Sequence, residues 1–582
     1  MKIKNLLNNY ILFEVITILC LFANILHTHQ VIMHYSKWHH SIYPTSHLFF
    51  LLFEGFSVYF LCYLYHKRRE ILLCIFFYIA TIVLWINVGY SRYFDTYMPL
   101  SLYTEFNNLN GLLPNIKDAI EFGDLFFGAT TTIVTIAFIL FGRKEKPSKA
   151  YILPSILALI LCLVFIIHFN SIKKDHDHLA EHFKELNDQR TIWDTMVDRR
   201  KMMENNEPKT CVYYYGIGLS LFINSIEPLF HSERFIFTRE EKDTINKYMY
   251  PSTYTLPKDS THNLIFILVE SLSSYPINKS FGGIELTPNI NKLLSKAYFN
   301  PNMESEARLG ESSDGQFIYL TGLLPLKQGV TINEISSQHI LTLISLAKKQ
   351  TASLYSQMTI PTEKNAWSQE TMCKKYGIDT LFSKEDYNSK AEDWLNDKQL
   401  FELATNKDKF LKSPFMSFIL TSSTHSPYIK SYEEYNIDYP KDFSKELKHY
   451  LDNIHYTDKY LGQYLNSLKN KPWYNQCTII ITADHKPNVP KLHTPNGDLF
   501  TSIPIIILCP LKENNGLIDN QPIRQSDVFP SIIDLYRINS RWKGIGKSIF
   551  MPEEKRRSPF EKKRDSLRQD ISNYVINKKY LN

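Results

Sequence analysis

The sequence predicts an α/β chain in two unlike halves: a five-helix transmembrane domain, then an extracytoplasmic domain built on a mostly parallel sheet between helices. Three observations carry this. Almost all long apolar runs in the 582 residues fall before residue 170. The basic clusters fall in every second connection between those runs, and so on one side of the membrane. From residue 263 onward, near-continuous apolar runs of strand length alternate with helical patterns. The net charge of +6 is modest for this length and gives no reason to invoke a nucleic-acid partner. The mean hydropathy of -0.22 resembles that of a soluble protein only because it averages the two halves.

The five apolar runs cover residues 10–26, 46–65, 71–90, 125–141 and 151–169, each long enough or nearly so to span a bilayer. No small-x-small cleavage site follows the first, and four more runs come after it, so it reads as an uncleaved helix rather than a signal peptide. Orientation follows from "HKRRE" (66–70), "GRKEKPSK" (142–149) and the N-terminal Lys2 and Lys4. With five helices all three basic segments share one side, the cytoplasm, and everything after residue 169 lies outside. Glu54, inside the second run, is read as a carboxylate facing helix neighbours or the interface. Of eight cysteines, four (Cys20, Cys62, Cys74, Cys162) fall in the runs and act as small apolar residues. Cys211, Cys373, Cys477 and Cys509 show no CxxC spacing, so no zinc ribbon is implied.

The chain is thus divided into a transmembrane domain (1–170), a charged helical connector (171–260), a globular domain (261–552) and a tail (553–582). The tail, "EEKRRSPFEKKRDSLRQD", reads as a solvated helix or disordered end. In the globular domain four runs read as buried strands: "NLIFILVE", "FMSFILTSS", "CTIIITADH" and "IPIIILCP".

Three of these strands end in groups that bear chemistry. The first stops on Glu270, the third on Asp484-His485, and the second leads to His425. Strand ends of one sheet converge at one edge, where open α/β sheets keep their sites. A glutamate, an aspartate and an imidazole there form an anionic N/O pocket suited to a divalent cation. In "ARLGESSDGQFIYL" (307–320), Gly310 permits a tight turn, and Glu311-Ser312-Ser313-Asp314 precedes a helix-like pattern. Serine at a helix start is most often an N-cap, yet the same geometry aims backbone N–H groups at a phosphate.

Together, "ILVESLSSY", "GESSDGQF", "SSTHSPY" and "ITADHK", after five spans, resemble the lipoteichoic-acid synthase branch of the alkaline phosphatase/sulfatase superfamily and its phosphoethanolamine-transferase relatives. The resemblance implies a sulfatase-like domain over 261–552 and a metal site of Glu270, Asp484 and His485. It places the nucleophile, usually threonine in Gly-x-Thr-Ser-Asp, on Ser312, whose oxygen also joins the metal; Ser313 is the rival one residue on. His425 matches a substrate-contacting histidine, and Trp367 in "KNAWSQE" the tryptophan of the headgroup pocket. His493 is similar to a second histidine of the phosphoethanolamine transferases. Where the synthases carry an arginine shortly after that tryptophan, this chain has Gln369, which weakens the case for glycerol-phosphate polymerisation. No Cys/Ser-x-Pro-x-Arg sulfatase motif surrounds Ser312.

The resemblance implies a bacterial inner-membrane enzyme with Mn²⁺ or Zn²⁺ as cofactor. It would move a phosphoglycerol or phosphoethanolamine headgroup from a membrane phospholipid to a cell-envelope glycan or glycolipid, through a phospho-serine. The alternatives are a phosphodiester hydrolase of the same superfamily and a non-catalytic membrane protein that binds envelope glycan or lipid.

Overall fold

A computed structural model describes residues 2–34, 69–94, 97–98, 120–141, 217, 221, 237–250, 263–308, 310–327, 331–334, 340–387, 394–426, 428, 430–487, 492, 500–509, 516–538 and 542–576. These divide into two compact units, one of N-terminal helices and one running from residue 237 onward.

The first unit contains α1 (Lys2–His34), α2 (Arg69–Phe94) and α3 (Leu125–Phe141). Leu12–Ile32 of α1, Ile71–Arg92 of α2, and Phe122–Phe141, which joins α3 to the 3₁₀ turn before it, are long and apolar enough to cross a membrane. The expected runs 46–65 and 151–169, with Glu54, lie outside the described residues. The first span reaches Ile32 rather than stopping at residue 26, because "HTHQ" continues the helix with Thr28 and His29 buried. Polar groups on this inner face bind one another. Asn24 Nδ2 donates to Thr81 Oγ1 (3.0 Å), and its Oδ1 accepts from Thr130 Oγ1 (2.8 Å), so one amide ties all three helices. At the end of α2 the buried Arg92 guanidinium grips Asp124 through two hydrogen bonds of 2.6 and 2.8 Å.

The second unit holds α4 (Arg239–Tyr248), β1 (Asn263–Val269), a hairpin of β2 (Ser280–Phe281) and β3 (Ile284–Glu285), α5 (Pro288–Leu294), β4 (Tyr298–Glu304), α6 (Ser312–Thr321) and α7 (Leu343–Gln350). Then come β5 (Tyr355–Thr359), α8 (Gln369–Tyr376), β6 (Thr380–Phe382), α9 (Asp397–Lys407), β7 (Phe415–Leu420), α10 (Lys445–Leu468), β8 (Cys477–Ala483), β9 (Ile503–Leu508), β10 (Ile523–Arg524), α11 (Val528–Leu535), α12 (Pro559–Ser566) and α13 (Arg568–Ile576). Eight strands form one sheet in the order β10-β4-β9-β8-β1-β7-β5-β6. Every residue of β1, β7 and β8 is buried, so helices cover both faces, as their unbroken apolar composition requires. The sheet is mostly parallel. Of the four strands expected from sequence, "IPIIIL" (β9) runs antiparallel to both neighbours, β8 and β4. An all-apolar run carries no mark of direction, so only the packed sheet reveals this.

The tail departs from the expectation of a solvated end. Residues 553–576 fold onto the domain: Arg564 is 1% exposed, paired with the buried Glu561 at 3.2 Å, and donates to the carbonyls of Tyr248, Gly544 and Gly546. Ile571, Tyr574, Val575 and Ile576 are buried beside it, and Phe237 and Tyr248 meet Tyr574 and Phe560 edge-on or tilted. Charge density misleads because an arginine whose donors all meet carbonyls and a carboxylate sits in a protein interior.

Candidate active site

Strands β8, β1 and β7 are parallel neighbours, and their last residues stand in register: Val269 opposite Ala483, Leu268 opposite Leu420. The residues that follow therefore leave the sheet at one edge. The Glu270 N–H donates to Thr421 Oγ1 (3.0 Å), fixing the first strand end against the second. Ser271 turns into the left-handed region (φ 52), which lets its N–H donate to Asp484 Oδ1 at 2.9 Å. The His485 N–H donates to the same oxygen at 2.8 Å. Asp484 Oδ1 is thereby occupied, while Oδ2 is buried without a hydrogen-bond partner, 3.7 Å from His485 Nε2. The sheet edge holds one carboxylate oxygen and presents the other.

The loop before α6 brings the serine. Asp314 Oδ2 accepts the N–H groups of Gly310 (3.0 Å) and Arg308 (3.0 Å), bending the chain back on itself. At Gly310 a Cβ would lie 2.3 Å from Asp314 Oδ1, so only glycine fits the bend. Glu311 takes φ 44 and ψ -116, a strained conformation for a non-glycine residue. Ser312 begins α6, and its Oγ donates to Glu270 Oε2 at 3.0 Å and lies 3.4 Å from His485 Nε2. Ser313 Oγ is buried with no hydrogen-bond partner. Of the two serines, Ser312 is the one that touches the strand-end groups.

Helix α6 touches the end of β8 through Gly315, where a Cβ would lie 2.3 Å from the Asp484 carbonyl oxygen. Gly315→Ala is therefore expected to lower stability by about 1–3 kcal/mol, read by chemical denaturation. It should also weaken divalent-ion affinity, read by titration calorimetry, because the residue displaced is Asp484. Unchanged affinity would show that this contact does not position the aspartate.

The electrostatics are those of a cluster with more negative charge than it can hold alone. Burial and the facing Glu270 charge push Asp484 up to about 7. Burial opposes ionisation of Glu270 as well, but the His485 charge and hydrogen bond, with a contribution from His425, hold it well below the usual carboxylate range. Burial pulls the His485 imidazole down, yet Asp484, Glu311 and Glu270 outweigh it and raise it well above its ordinary value. Asp314, nearby, is pushed up to about 6 by burial despite its two backbone donors.

This donor set fits a divalent cation. Ligand atoms of Glu270, Asp484 and His485 lie within 4.8 Å of one another. His485 Nδ1 sits 2.8 Å from the Lys486 carbonyl, so Nδ1 carries a hydrogen and Nε2 is the nitrogen that would offer its lone pair once a cation displaces its proton. The orphaned Asp484 Oδ2 is the atom a cation would satisfy.

His425 lies in the loop after β7. Asp397 holds that loop by accepting the N–H groups of Ser422 (2.9 Å) and Ser423 (3.0 Å) and the Thr457 hydroxyl of α10 (2.5 Å). The His425 Nδ1–H donates to the Ser426 carbonyl (2.6 Å), and the ring meets Trp394 edge-on at 5.2 Å. Trp367 sits in a short turn, Ala366–Ser368, and its side chain is outside the described residues, as is His493. Gln369 is 4% exposed, its Oε1 without a hydrogen-bond partner.

Several residues around the cluster carried no sequence signal of their own. The Ser271 hydroxyl donates to Glu270 Oε1 (2.8 Å). Glu311 Oε2 stands 3.2 Å from His485 Nδ1. Gln525, fully buried, donates to the Asp484 carbonyl (2.6 Å) and accepts from the N–H of Glu306 (2.6 Å). Gln525 lies 41 residues from Asp484 in the chain, beyond any local pattern.

Residues 262–538 match the family model described as sulfatase, and residues 1–206 match the lipoteichoic acid synthase N-terminal domain. The lipoteichoic acid synthase of Staphylococcus aureus (strain USA300) is 24% identical over 537 residues, covering 87% of this chain and 78% of that protein. Among solved structures, the integral membrane lipooligosaccharide phosphoethanolamine transferase A of Neisseria meningitidis superposes with a TM-score of 0.52 over 90% of this chain and 95% of its own, at 11% identity. The lipoteichoic acid synthase LtaP of Listeria monocytogenes gives 0.46 over 57% of this chain and 97% of its own, at 16% identity.

Proposed function

We propose, from the premise that this chain is a membrane phosphotransferase of the alkaline phosphatase/sulfatase superfamily akin to the lipoteichoic-acid synthases and phosphoethanolamine transferases, that it transfers a phospholipid headgroup through a covalent phospho-serine. The observation that carries this reading is the meeting of Ser312 Oγ with Glu270 and His485, beside an Asp484 oxygen that lacks a hydrogen-bond partner.

Glu270, Asp484 and His485, joined by Ser312 Oγ, would hold one divalent ion, Mn²⁺ or Zn²⁺, which when bound lowers the pKa of the hydroxyl and offsets phosphate charge. Glu270 Oε2, the acceptor of the Ser312 hydroxyl, orients the oxygen for attack. Ser312 Oγ then bonds to phosphorus as the bond from phosphorus to the diacylglycerol oxygen breaks, and the proton lost by the serine ends on the departing oxygen, so that diacylglycerol leaves as an alcohol. His425 has its Nδ1–H pinned to a carbonyl, and only with a second proton on Nε2, as imidazolium, does it donate to a phosphate oxygen or protonate the departing oxygen. In the second half an acceptor hydroxyl of an envelope glycan or glycolipid attacks the phospho-serine, and Ser312 regains its proton. Trp367 and His493 are assigned to the headgroup pocket. The neutral, buried Gln369 in place of a guanidinium weakens the grip on an anionic polymer end. The basic segments 66–70 and 142–149 support a site outside the cytoplasm, where an outer-leaflet phospholipid reaches it.

The test is reconstitution of the full chain in vesicles containing phosphatidylglycerol or phosphatidylethanolamine, with Mn²⁺ or Zn²⁺. Diacylglycerol release is expected to stop near one equivalent without acceptor and to turn over once glycolipid is added. Intact mass of the protein identifies the headgroup retained. Continuous turnover with water alone makes the chain a hydrolase, and absence of both release and adduct overturns the proposal.

A further inference from the structure

The loop that delivers Ser312 is held from behind by the C-terminal helix α13, which lies beyond both matched family segments. Three residues of the helix make the attachment. The Arg568 guanidinium binds the Glu306 carboxylate and donates to Ser526 Oγ (2.6 Å). Gln569 Oε1 accepts from the Arg308 guanidinium at 2.7 Å. Ser572 Oγ accepts the Leu324 N–H at 2.9 Å, just past the end of α6.

These contacts reach the residues that set the site. Glu306 is gripped from three sides: its carboxylate by Arg568 and by the Ser526 N–H (2.9 Å), its own N–H by Gln525 Oε1. The same Gln525 side chain holds the Asp484 carbonyl through its Nε2, so the serine loop and the aspartate strand end are measured from one amide. Arg308 donates its N–H to Asp314 Oδ2, the carboxylate that bends the loop, while its guanidinium spans Pro325 O (2.8 Å) and Gln569. Gln569 is itself oriented, because its Nε2 donates to Asn573 Oδ1 (2.8 Å) and so turns Oε1 toward Arg308.

We infer that α13 is a positioning element for the nucleophile. Arg568 and Gln569, acting through Glu306 and Arg308, fix residues 305–308 and, through Asp314, Gly310, and with them the place of Ser312 Oγ relative to Glu270 and His485. The inference rests on the reading of Ser312 as nucleophile. Physically it needs only that charge-assisted hydrogen bonds hold the loop more rigidly than its own turns do, and the strained Glu311 is a conformation that surrounding contacts have to maintain. A displacement of about 1 Å at a nucleophile costs on the order of 10²-fold in rate.

Full-length Gln569→Ala, Gln569→Glu and Arg568→Ala proteins test this, because a helix that merely fastens the tail would move stability, and a positioning helix moves the chemical step. The readouts are the single-turnover rate of Ser312 labelling by headgroup-labelled phospholipid, donor KM, Mn²⁺ affinity and Tm. Gln569→Ala is expected to slow labelling by about 10- to 100-fold, with donor KM and Mn²⁺ affinity within about twofold of wild type. Gln569→Glu keeps the acceptor oxygen for Arg308 and should restore most of the rate. Arg568→Ala should slow labelling similarly at a lower Tm. Labelling at the wild-type rate in a folded Gln569→Ala protein overturns the inference, as does a loss that follows Tm and Mn²⁺ affinity and is not restored by glutamate. If wild type itself forms no adduct, the nucleophile reading is what fails.

Discussion

Ser312→Ala is expected to abolish covalent capture of the donor headgroup while leaving the fold in place. The alanine removes one oxygen from a helix start that is otherwise fastened by Asp314, Gly310 and the Gly315 contact, none of which involves the hydroxyl. The lost oxygen is the atom 3.0 Å from Glu270 Oε2 and 3.4 Å from His485 Nε2. Loss of a covalent nucleophile removes the two-step route altogether, and turnover should fall by on the order of 10³-fold or more. Ser313→Ala is the comparison. Its hydroxyl is buried without a hydrogen-bond partner, so its loss should leave labelling near wild type. Intact mass spectrometry after exposure to labelled phospholipid reads both. A label that persists in Ser312→Ala and vanishes in Ser313→Ala would reverse the assignment.

The second large effect concerns the cation. Glu270→Ala or Asp484→Ala should weaken Mn²⁺ or Zn²⁺ binding by more than the roughly 10- to 100-fold that loss of an outer partner costs, because each removes a direct donor. The cluster also makes binding depend on pH, with a definite sign. Burial and Glu270 raise Asp484 from 3.8 to about 7, and Asp484, Glu311 and Glu270 overcome burial to raise His485 well above 6.5. Both folded values exceed the unfolded ones, so the metal-free domain holds protons that the unfolded chain releases. Their stabilising contribution is therefore present at low pH. It is lost through Asp484 as pH climbs from about 4 to 7, and through His485 above about 6.5. Glu270, depressed by His485 against the effect of burial, acts oppositely, but only in the acid range. A divalent ion must displace the retained protons, so its affinity should rise with pH across neutrality. Calorimetric titration at pH 6 and pH 8 should show tighter binding at pH 8. The Tm gained on adding metal should widen in the same direction, and a gain that shrinks with pH would contradict this proton count.

Much of the site was legible because its donors sit at the ends of strands whose apolar runs announce themselves. β1 ends on Glu270 and β8 on Asp484-His485, and a sheet with β8, β1 and β7 adjacent must bring those ends together. The serine was legible less sharply. "GESSD" marks a helix start, and periodicity has no means of choosing between Ser312 and Ser313. The choice depends on which residue faces the strand ends once α6 docks at Gly315. The tail was misread for a related reason. A string of lysines, arginines and glutamates looks solvated until Arg564 finds three carbonyls, and Arg568 a carboxylate more than 250 residues away in the chain.

Composition and pattern by themselves determined that this chain has a membrane part and an α/β part, and that its ionisable strand-end residues belong at one sheet edge. Those follow from local rules, since apolar length sets spans and strands, and parallel strands share an edge. Tertiary structure decided the direction of β9, the serine that meets Glu270, the Asp484 oxygen left without a hydrogen-bond partner, and the grip of α13 on the nucleophile loop. Each of these depends on groups distant in sequence meeting at hydrogen-bonding distance, and no local pattern carries that geometry.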